Sequence, residues 1–237
     1  MNHCAYTLTV MACAVLPMAL QAAEHSLGSK ELLQGIESMR RISADAWYLV
    51  QAQDRVMLVS VNGHYAATNL KLIDLWNQLE VKSIADLSAS ERIPLGRMGI
   101  KAKALGGVSV GPPADDPITV FLDPASPETQ KLIPRLREIA QAKRVDLIFV
   151  PAQPSRAATT RALICNPQAA QNFLSGARLP EPPASDDRCG MGELEKARVT
   201  LQLLGIVTLP YTIAPNGLGI AGIPDNYDSI LGVASHE

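Results

Sequence analysis

The sequence predicts an α/β fold in its C-terminal half and a smaller block of antiparallel strands before it. From residue 117 onward, continuous apolar runs alternate with amphipathic segments, an order typical of a sheet covered by helices. Before residue 84, short apolar runs are separated by turn pairs such as Asn62-Gly63, which indicate hairpins. With 47% hydrophobic and 19% charged residues, the 237-residue chain can form one large domain or two modest ones.

The first 22 residues have the composition of a signal peptide. They contain no Lys, Arg, Asp or Glu, and the stretch 8–20 is almost wholly apolar before the small-residue run Gln21-Ala22-Ala23. A membrane anchor needs about 20 apolar residues, and this run is shorter and carries Pro17. We therefore expect cleavage after Ala22 or Ala23, with an anchor or a buried N-terminal helix as alternatives. No membrane span is expected after cleavage.

The predicted signal peptide determines which cysteines remain in the exported protein. Cys4 and Cys13 belong to the predicted signal peptide, whereas Cys165 and Cys189 remain in the exported protein. Two cysteines in an oxidising compartment suggest one disulfide, which stabilises the fold by roughly 3 to 4 kcal/mol in the chain-entropy model. Unpaired buried thiols and a soft-metal pair are the alternatives. Few histidines remain to complete a metal site, so no metal or cofactor is expected: His25, His64 and His236.

Residues 23–83 form the first predicted domain. Leu32, Leu33, Ile36 and Met39 fit one face of a helix over 30–41. Three antiparallel strands are predicted next, and a further element, helical at its end, follows them: 46–51, 55–61, 64–68 and 70–79. A block of about 60 residues is small for an independent core, so it is expected to need a partner subunit.

Residues 84–116 lose periodicity and are rich in Gly, Pro and Ser, which predicts a linker. Within them, 107–111 match the G-x-S-x-G pattern of a hydrolase nucleophile elbow. That chemistry requires a helix directly after the serine, and Pro112-Pro113 forbids one. The linker interpretation is therefore preferred.

Residues 117–237 form the second predicted domain. Strands are expected at 117–123, 145–151, 207–214 and 218–223. Helices are expected at 126–143, 157–164, 168–177, 192–204 and from 225 onward. The charged residues of the first of these helices, such as Arg135 and Arg137, are assigned to a solvated face.

Two segments of this domain carry a family resemblance. Residues 118–132, ITVFLDPASPETQKL, resemble the active-site segment of the DsbC and DsbG disulfide isomerases, in which a C-x-x-C opens a helix of a thioredoxin fold. Ser126-Pro127-Glu128-Thr129 stand where that dithiol would be, and Pro134 occupies the place of a helix-kinking proline. Residues 204–210, LGIVTLP, are similar to the family segment that ends in a cis-proline, so Pro210 is the expected cis residue.

The resemblance implies a thioredoxin-like C-terminal domain with a helical insertion, which a structural disulfide between Cys165 and Cys189 would bracket. It also implies that the N-terminal block is a small α+β, cystatin-like dimerisation domain, that the protein is a homodimer, and that it is periplasmic. A net charge of −2 and a pI near 6.1 give no basic surface for nucleic acid, so no nucleic-acid partner is expected.

The missing dithiol decides the functional hypothesis. A serine hydroxyl is not ionised and cannot exchange a disulfide, so Ser126 and Thr129 are expected to cap and pack the helix, and no general base for Ser126 is visible. We expect a redox-inactive chaperone or scaffold for unfolded or assembling envelope proteins. The residues expected to line its client-binding cleft are Leu122, Pro124, Pro127, Leu209, Pro210 and Tyr211. The alternatives are thiol-disulfide interchange through Cys165 and Cys189, or a structural subunit of a secretion or conjugation apparatus.

Overall fold

The computed structural model describes residues 36–42, 47–52, 55–184 and 187–232. The predicted signal peptide and the start of the predicted first helix lie outside the described residues. Within these ranges, no helix combines the length and hydropathy needed to cross a bilayer.

The N-terminal part contains a four-stranded antiparallel sheet with the order β1-β2-β3-β4. Its strands are β1 (Ile36–Arg41), β2 (Trp47–Ala52), β3 (Arg55–Ser60) and β4 (Ala66–Ala67). The three predicted strands are confirmed as β2, β3 and β4. The helix predicted over 30–41 is wrong for residues 36–41, because ladder pairing with β2, for example Met39 opposite Val50, outweighs the local helical spacing.

A short hairpin, β5 (Leu72–Asp74) and β6 (Leu79–Val81), follows the sheet and leads into helix α1 (Ile84–Ser90). The helical end predicted near residue 79 is wrong. The Asp74 carboxylate accepts the backbone N–H groups of Trp76 and Asn77 at 2.9 and 3.1 Å, which stabilises a turn in place of a helix. Leu49, Val81 and Leu87 form the small core under these elements.

The C-terminal part is a five-stranded mixed sheet with helices on both faces. Its strands, in the order β11-β10-β8-β9-β7, are β7 (Val108–Val110), β8 (Ile118–Leu122), β9 (Val145–Phe149), β10 (Tyr211–Ile213) and β11 (Gly219–Ala221). Only β8 and β9 are parallel. The helices are α2 (Pro127–Ala142), α3 (Ala157–Cys165), α4 (Pro167–Gln171), α5 (Met191–Leu203) and α6 (Tyr227–Ile230). Each of these elements except β7, which lies in the predicted linker, matches a predicted element, although β10 begins four residues later than expected.

Residues 84–116 are more ordered than the predicted linker. They contain α1, a 3-10 helix (Ala102–Leu105) and β7, which pairs antiparallel with β9 as an edge strand. Ile93, Ala102 and Leu105 are buried against the sheet. The glycines and prolines of this segment interrupt the hydrophobic periodicity from which helices and strands are predicted. The isolated apolar residues between them are nevertheless buried. The domain boundaries themselves remain a prediction.

Two apolar layers hold the five-stranded sheet. On one face Val120 and Leu147 pack with Leu132 and Leu136 of α2. On the other, Phe121 and Ile148 pack with Ala197 of α5. Because alternate residues of a strand point to opposite faces, the entirely buried β8 supplies both layers. This double burial fixes the position of the loop that follows Leu122.

Candidate functional site

Asp123 anchors the loop between β8 and α2. It is fully buried, and its Oδ1 accepts the backbone N–H of Ala125 at 3.0 Å. Its Oδ2 accepts the backbone N–H of Ala152 at 3.0 Å and Nη1 of Arg156 at 2.9 Å. Through these hydrogen bonds, Asp123 holds the end of β8 against the segment that follows β9.

Ser126 is the N-cap of α2. Its Oγ accepts the backbone N–H of Glu128 at 3.2 Å and donates to the Glu128 carboxylate at 2.8 Å, while Pro127 takes the first helical position. The hydrogen bond from the Ser126 hydroxyl, followed by the backbone N–H of Glu128 itself, lowers the pKa of the Glu128 carboxyl. The expectation that no base lies beside Ser126 is therefore corrected. A carboxylate with a lowered pKa is nevertheless a weak general base.

Thr129 lies one turn into α2, at the position where the resemblance would place the second cysteine. Its side chain is fully buried, and Oγ1 has no hydrogen-bond partner within the described residues. An unpaired buried hydroxyl costs about 1 to 3 kcal/mol of desolvation. Thr129 therefore packs in the interior and, unlike Ser126, does not cap the helix.

Pro210 directly precedes β10, and the Leu209–Pro210 peptide bond is cis, as the resemblance implied. Tyr211 lies opposite Phe121 in the ladder between β10 and β8, and this register extended by one residue places Pro210 beside Leu122. The Pro210 carbonyl accepts the backbone N–H of Gly222 at 2.9 Å. The start of β10 and the head of α2 therefore share one end of the sheet.

The expected client-binding residues divide into two groups. Leu122, Pro124 and Pro210 are buried, so they contribute to the interior and not to an exposed surface, which corrects the expectation for these three. The remaining three retain accessible surface: Pro127, Leu209 and Tyr211. The sequence could not separate these groups because apolar residues are expected both in a core and in a binding site.

Tyr211 also lines an apolar groove of about 500 Å³ that sequence reasoning missed. We define this apolar groove by Ile73, Trp76, Leu203, Leu204 and Tyr211. It lies between the β5–β6 hairpin and the C-terminal end of α5, two elements far apart in the chain. Trp76 was assigned to a helical element, and no local pattern indicates that it lines the same groove as Leu203. Burial raises the pKa of the Tyr211 hydroxyl, so this side chain is neutral at physiological pH.

The segment 207–209 adds backbone donors beside the apolar groove. Val207 is 96% exposed. Within the described part of the chain, the backbone N–H groups of Val207, Thr208 and Leu209 make no hydrogen bond. An exposed run of unpaired N–H groups can pair with another extended chain.

Cys165 and Cys189 form a disulfide, as predicted. Cys165 ends α3 and Cys189 stands just before α5. Because α3 starts directly after Arg156, the partner of Asp123, and rises about 1.5 Å per residue, its last residue lies about 12 Å along the helix from that end. The disulfide therefore lies one helix length away from the N-terminal end of α3.

Ser109 and His64 are the two other residues that the sequence analysis considered for a site. Ser109 of the G-x-S-x-G match lies on β7 and donates to Asp146 at 2.7 Å, with no helix following it. His64 is exposed and stacks edge-on against Tyr65, with ring centroids 4.3 Å apart. In the ranges that the structure describes, no three His, Cys, Asp or Glu side chains are grouped to hold a metal ion.

The strand order, α2 after β8 and the cis-proline before β10 define a mixed α/β protein. No family model and no curated protein matches the chain. Among solved structures it is similar to a disulfide interchange protein from Neisseria gonorrhoeae, with 17% identity and a TM-score of 0.41 over 54% of this chain and 95% of that one. It is also similar to DsbG from Helicobacter pylori, with 11% identity and a TM-score of 0.35 over 75% and 91%. At these scores function is inferred from the site residues and not from the likeness.

Proposed function

We propose that this chain is a redox-inactive, DsbC/DsbG-like periplasmic protein that binds unfolded or assembling polypeptides, as a chaperone or scaffold. The observation that carries the proposal is the head of α2, where a helix N-terminus suited to a thiolate holds the hydroxyl of Ser126. Disulfide exchange requires a thiolate that attacks sulfur, and a hydroxyl bonded to Glu128 cannot take that role.

Client binding is supported by the apolar groove and the adjoining segment 207–209. The groove offers apolar surface to side chains, and the unpaired N–H groups of the segment offer hydrogen bonds to the backbone of an extended chain. A folded client has few free carbonyl groups, whereas an unfolded one exposes both carbonyls and apolar side chains. The pair of features therefore favours unfolded polypeptide.

The first test separates binding from redox turnover. Insulin reduction and reactivation of scrambled ribonuclease measure thiol-disulfide exchange, and light scattering of diluted, unfolded lysozyme measures suppression of aggregation. We expect suppression without turnover. Turnover that Cys165→Ser abolishes would replace this proposal with the thiol-disulfide interchange alternative, and mass spectrometry of the Cys165–Cys189 linkage during turnover would identify the reacting sulfurs.

A matched pair of variants tests the binding surface. Leu203 is 56% exposed and lines the apolar groove, whereas Val199, one turn earlier on α5, is 53% exposed and lies outside it. Leu203→Ser should weaken suppression of aggregation several-fold, and Val199→Ser should leave it unchanged. Equal effects of the two substitutions would contradict the placement of the client in the groove.

Periplasmic location and dimerisation belong to the same proposal. The composition of the first 22 residues and the disulfide both suit an exported protein. β1 is an edge strand with Met39 exposed, so we place the dimer contact there. Light scattering should give a dimer for the protein and a monomer for Met39→Lys. Envelope crosslinking that captured one partner in fixed stoichiometry would favour the structural-subunit alternative.

A further inference from the structure

A second concave site lies at the opposite end of the five-stranded sheet from Ser126. It is a cleft of about 640 Å³, bounded by the starts of β8 and β9, the turn after β10 and the loop 92–103. We call it the basic cleft and define it by Arg92, Arg97, Lys101, Lys103 and Thr119. It shares no residue with the apolar groove other than the border residue Ile93.

The positive charges of the basic cleft are not neutralised by the protein. Arg92 donates to the Asn216 carbonyl at 3.1 Å, and Arg97 donates to the backbone and side-chain oxygens of Asn77 at 3.1 and 2.8 Å. These acceptors are uncharged. The side chains of Lys101 and Lys103, which also line the cleft, make no hydrogen bond or ion pair within the described ranges.

Acidic side chains in the basic cleft do not balance this charge. Asp146 is paired with Arg144 at 2.9 Å and also accepts from Ser109, so that ion pair is internally neutral. Two carboxylates that line the cleft without an ion pair, Asp115 and Asp116, face the four unneutralised basic groups. An excess of positive charge remains, in a concave site where the attraction of an anion is stronger than on a flat surface.

Thr119 provides an independent observation on the floor of the basic cleft. It is only 5% exposed, and in the described part of the chain its hydroxyl has no hydrogen-bond partner. It lies on the sheet face of Phe121, where its neighbours on the adjacent strands are Asp146 of β9 and Ile213 of β10, which also line the cleft. Asp146 is already paired with Arg144 and Ser109, so the Thr119 hydroxyl remains available to a polar atom of a ligand, and Ile213 and Ile148 offer apolar surface nearby.

We propose that the basic cleft binds a small organic anion, a carboxylate or a phosphate ester with one apolar arm. Guanidinium and ammonium groups at Arg92, Lys101 and Lys103 bind the charged group, since such charge-assisted hydrogen bonds suit carboxylate and phosphate oxygens. The apolar arm lies on Ile148 and Ile213, and the Thr119 hydroxyl pairs with a ligand oxygen. The volume of about 640 Å³ falls in the usual range for small-molecule sites.

Titration of the isotope-labelled protein with phenyl phosphate and with benzoate, followed by amide NMR shifts, tests this proposal and distinguishes the two anions. We expect at least one of them to saturate, with the largest shifts at Lys101, Thr119 and Gly217. Inorganic phosphate, which lacks the arm, and benzyl alcohol, which lacks the charge, should each bind about tenfold or more weaker, the equivalent of about 1.4 kcal/mol. No saturable shift at the cleft with either anion overturns the proposal, and equal binding of inorganic phosphate overturns the apolar arm.

Two variants with equal charge change complete the test. Lys101→Gln with Lys103→Gln should weaken binding about tenfold, because two charge–charge contacts with the anion are lost. Lys131→Gln with Lys196→Gln removes the same charge from exposed sites outside the cleft and should leave binding unchanged. Equal losses of anion binding in the two double variants would mean that net charge alone causes the effect, and this would overturn the proposed site. Thr119→Val should weaken binding several-fold without lowering the unfolding midpoint, since the hydroxyl has no partner in the protein.

Discussion

The two ends of the five-stranded sheet differ in whether their polar side chains have partners within the protein. At the end that carries Ser126, the buried Asp123 accepts three hydrogen bonds from the protein, and Ser126 and Glu128 satisfy each other. At the other end, the cations of the basic cleft have no carboxylate partner, and the hydroxyl of Thr119 has no hydrogen-bond partner within the described residues. Asp123, Ser126 and Glu128 at the first end therefore stabilise the fold, whereas the cations of the basic cleft and the Thr119 hydroxyl at the second end are available to a ligand.

The largest expected effect lies at the satisfied end. Asp123→Ala should lower the free energy of unfolding by about 3 to 5 kcal/mol, because it leaves Arg156 without its buried partner and two backbone N–H groups without acceptors. Urea unfolding followed by circular dichroism measures this loss.

Asp146→Ala provides the matched control at the other end of the sheet. Asp146 is also buried and paired, but its partners are the side chains of Arg144 and Ser109. Side chains can turn toward water, whereas backbone N–H groups cannot, so the loss should be about 1 to 2 kcal/mol. Equal losses for the two substitutions would remove the distinction between the two ends.

Between the two ends of the sheet, the core contains a buried and hydrogen-bonded tyrosine hydroxyl whose ionisation at alkaline pH can be measured. Tyr227 and Thr212 are hydrogen-bonded at 2.6 Å, and burial raises the pKa of Tyr227 to about 12 from its ordinary value of 10.0. A raised folded-state pKa gives stability that is complete below pH 10 and is lost as the pH rises toward 12. The loss from this group should be roughly 2 to 3 kcal/mol.

Tyr227→Phe tests this alkaline dependence. The variant should be less stable at neutral pH by about 1 to 2 kcal/mol, because Thr212 loses its partner, but its stability should change less between pH 10 and 12. Tyr65→Phe, at an exposed tyrosine, is the control and should keep the alkaline dependence of the parent protein. A parent-like dependence in Tyr227→Phe would show that another group titrates.

Two buried threonines sharpen the comparison between paired and unpaired hydroxyls. Thr129→Val should raise the free energy of unfolding by about 1 kcal/mol, because it replaces an unpartnered buried hydroxyl by a methyl group of similar shape. Thr212→Val should lower it by a similar amount, since Tyr227 then loses its partner. Thermal unfolding of both variants measures the signs. Destabilisation by Thr129→Val would mean that its hydroxyl is paired, for example by water.

The C-terminal elements were predictable because their signals are local. β8 and β9 are continuous apolar runs, and α2 has an apolar face together with a serine cap and a proline at its first turn. The N-terminal part was less predictable where tertiary contacts decided the structure. Residues 36–41 have helical spacing but pair with β2, and Asp74 forms a turn where apolar spacing predicted a helix.

The candidate site was predictable in its chain positions but not in its exposure. The sequence correctly brought Ser126 and Pro210 to one end of the sheet, yet it could not show that Leu122 and Pro210 are buried. The basic cleft was missed because its cations fall in the segment assigned to a linker. The near-neutral net charge of −2 also hides a local excess of one sign. Even the charged face of α2 was misread, since Arg135 pairs with Asp228 and Lys143 bonds two carbonyls.

The smallest expected effect concerns pH at the satisfied end. Because its hydrogen bond with Ser126 lowers the pKa of Glu128 below the usual 4.5, Glu128 stabilises the folded protein above that pH, and this contribution is lost as the pH falls. Glu128→Gln should therefore flatten the acid side of the stability curve, and Ser126→Ala should flatten it in part, because it removes the Ser126 hydrogen bond but keeps the one from the backbone N–H of Glu128. Glu138→Gln, further along α2, is the control, since the side chain of Glu138 makes no hydrogen bond within the described residues. Urea unfolding across pH 3 to 6 checks the three slopes, and an unchanged slope in Ser126→Ala would show that the helix N-terminus alone stabilises the carboxylate.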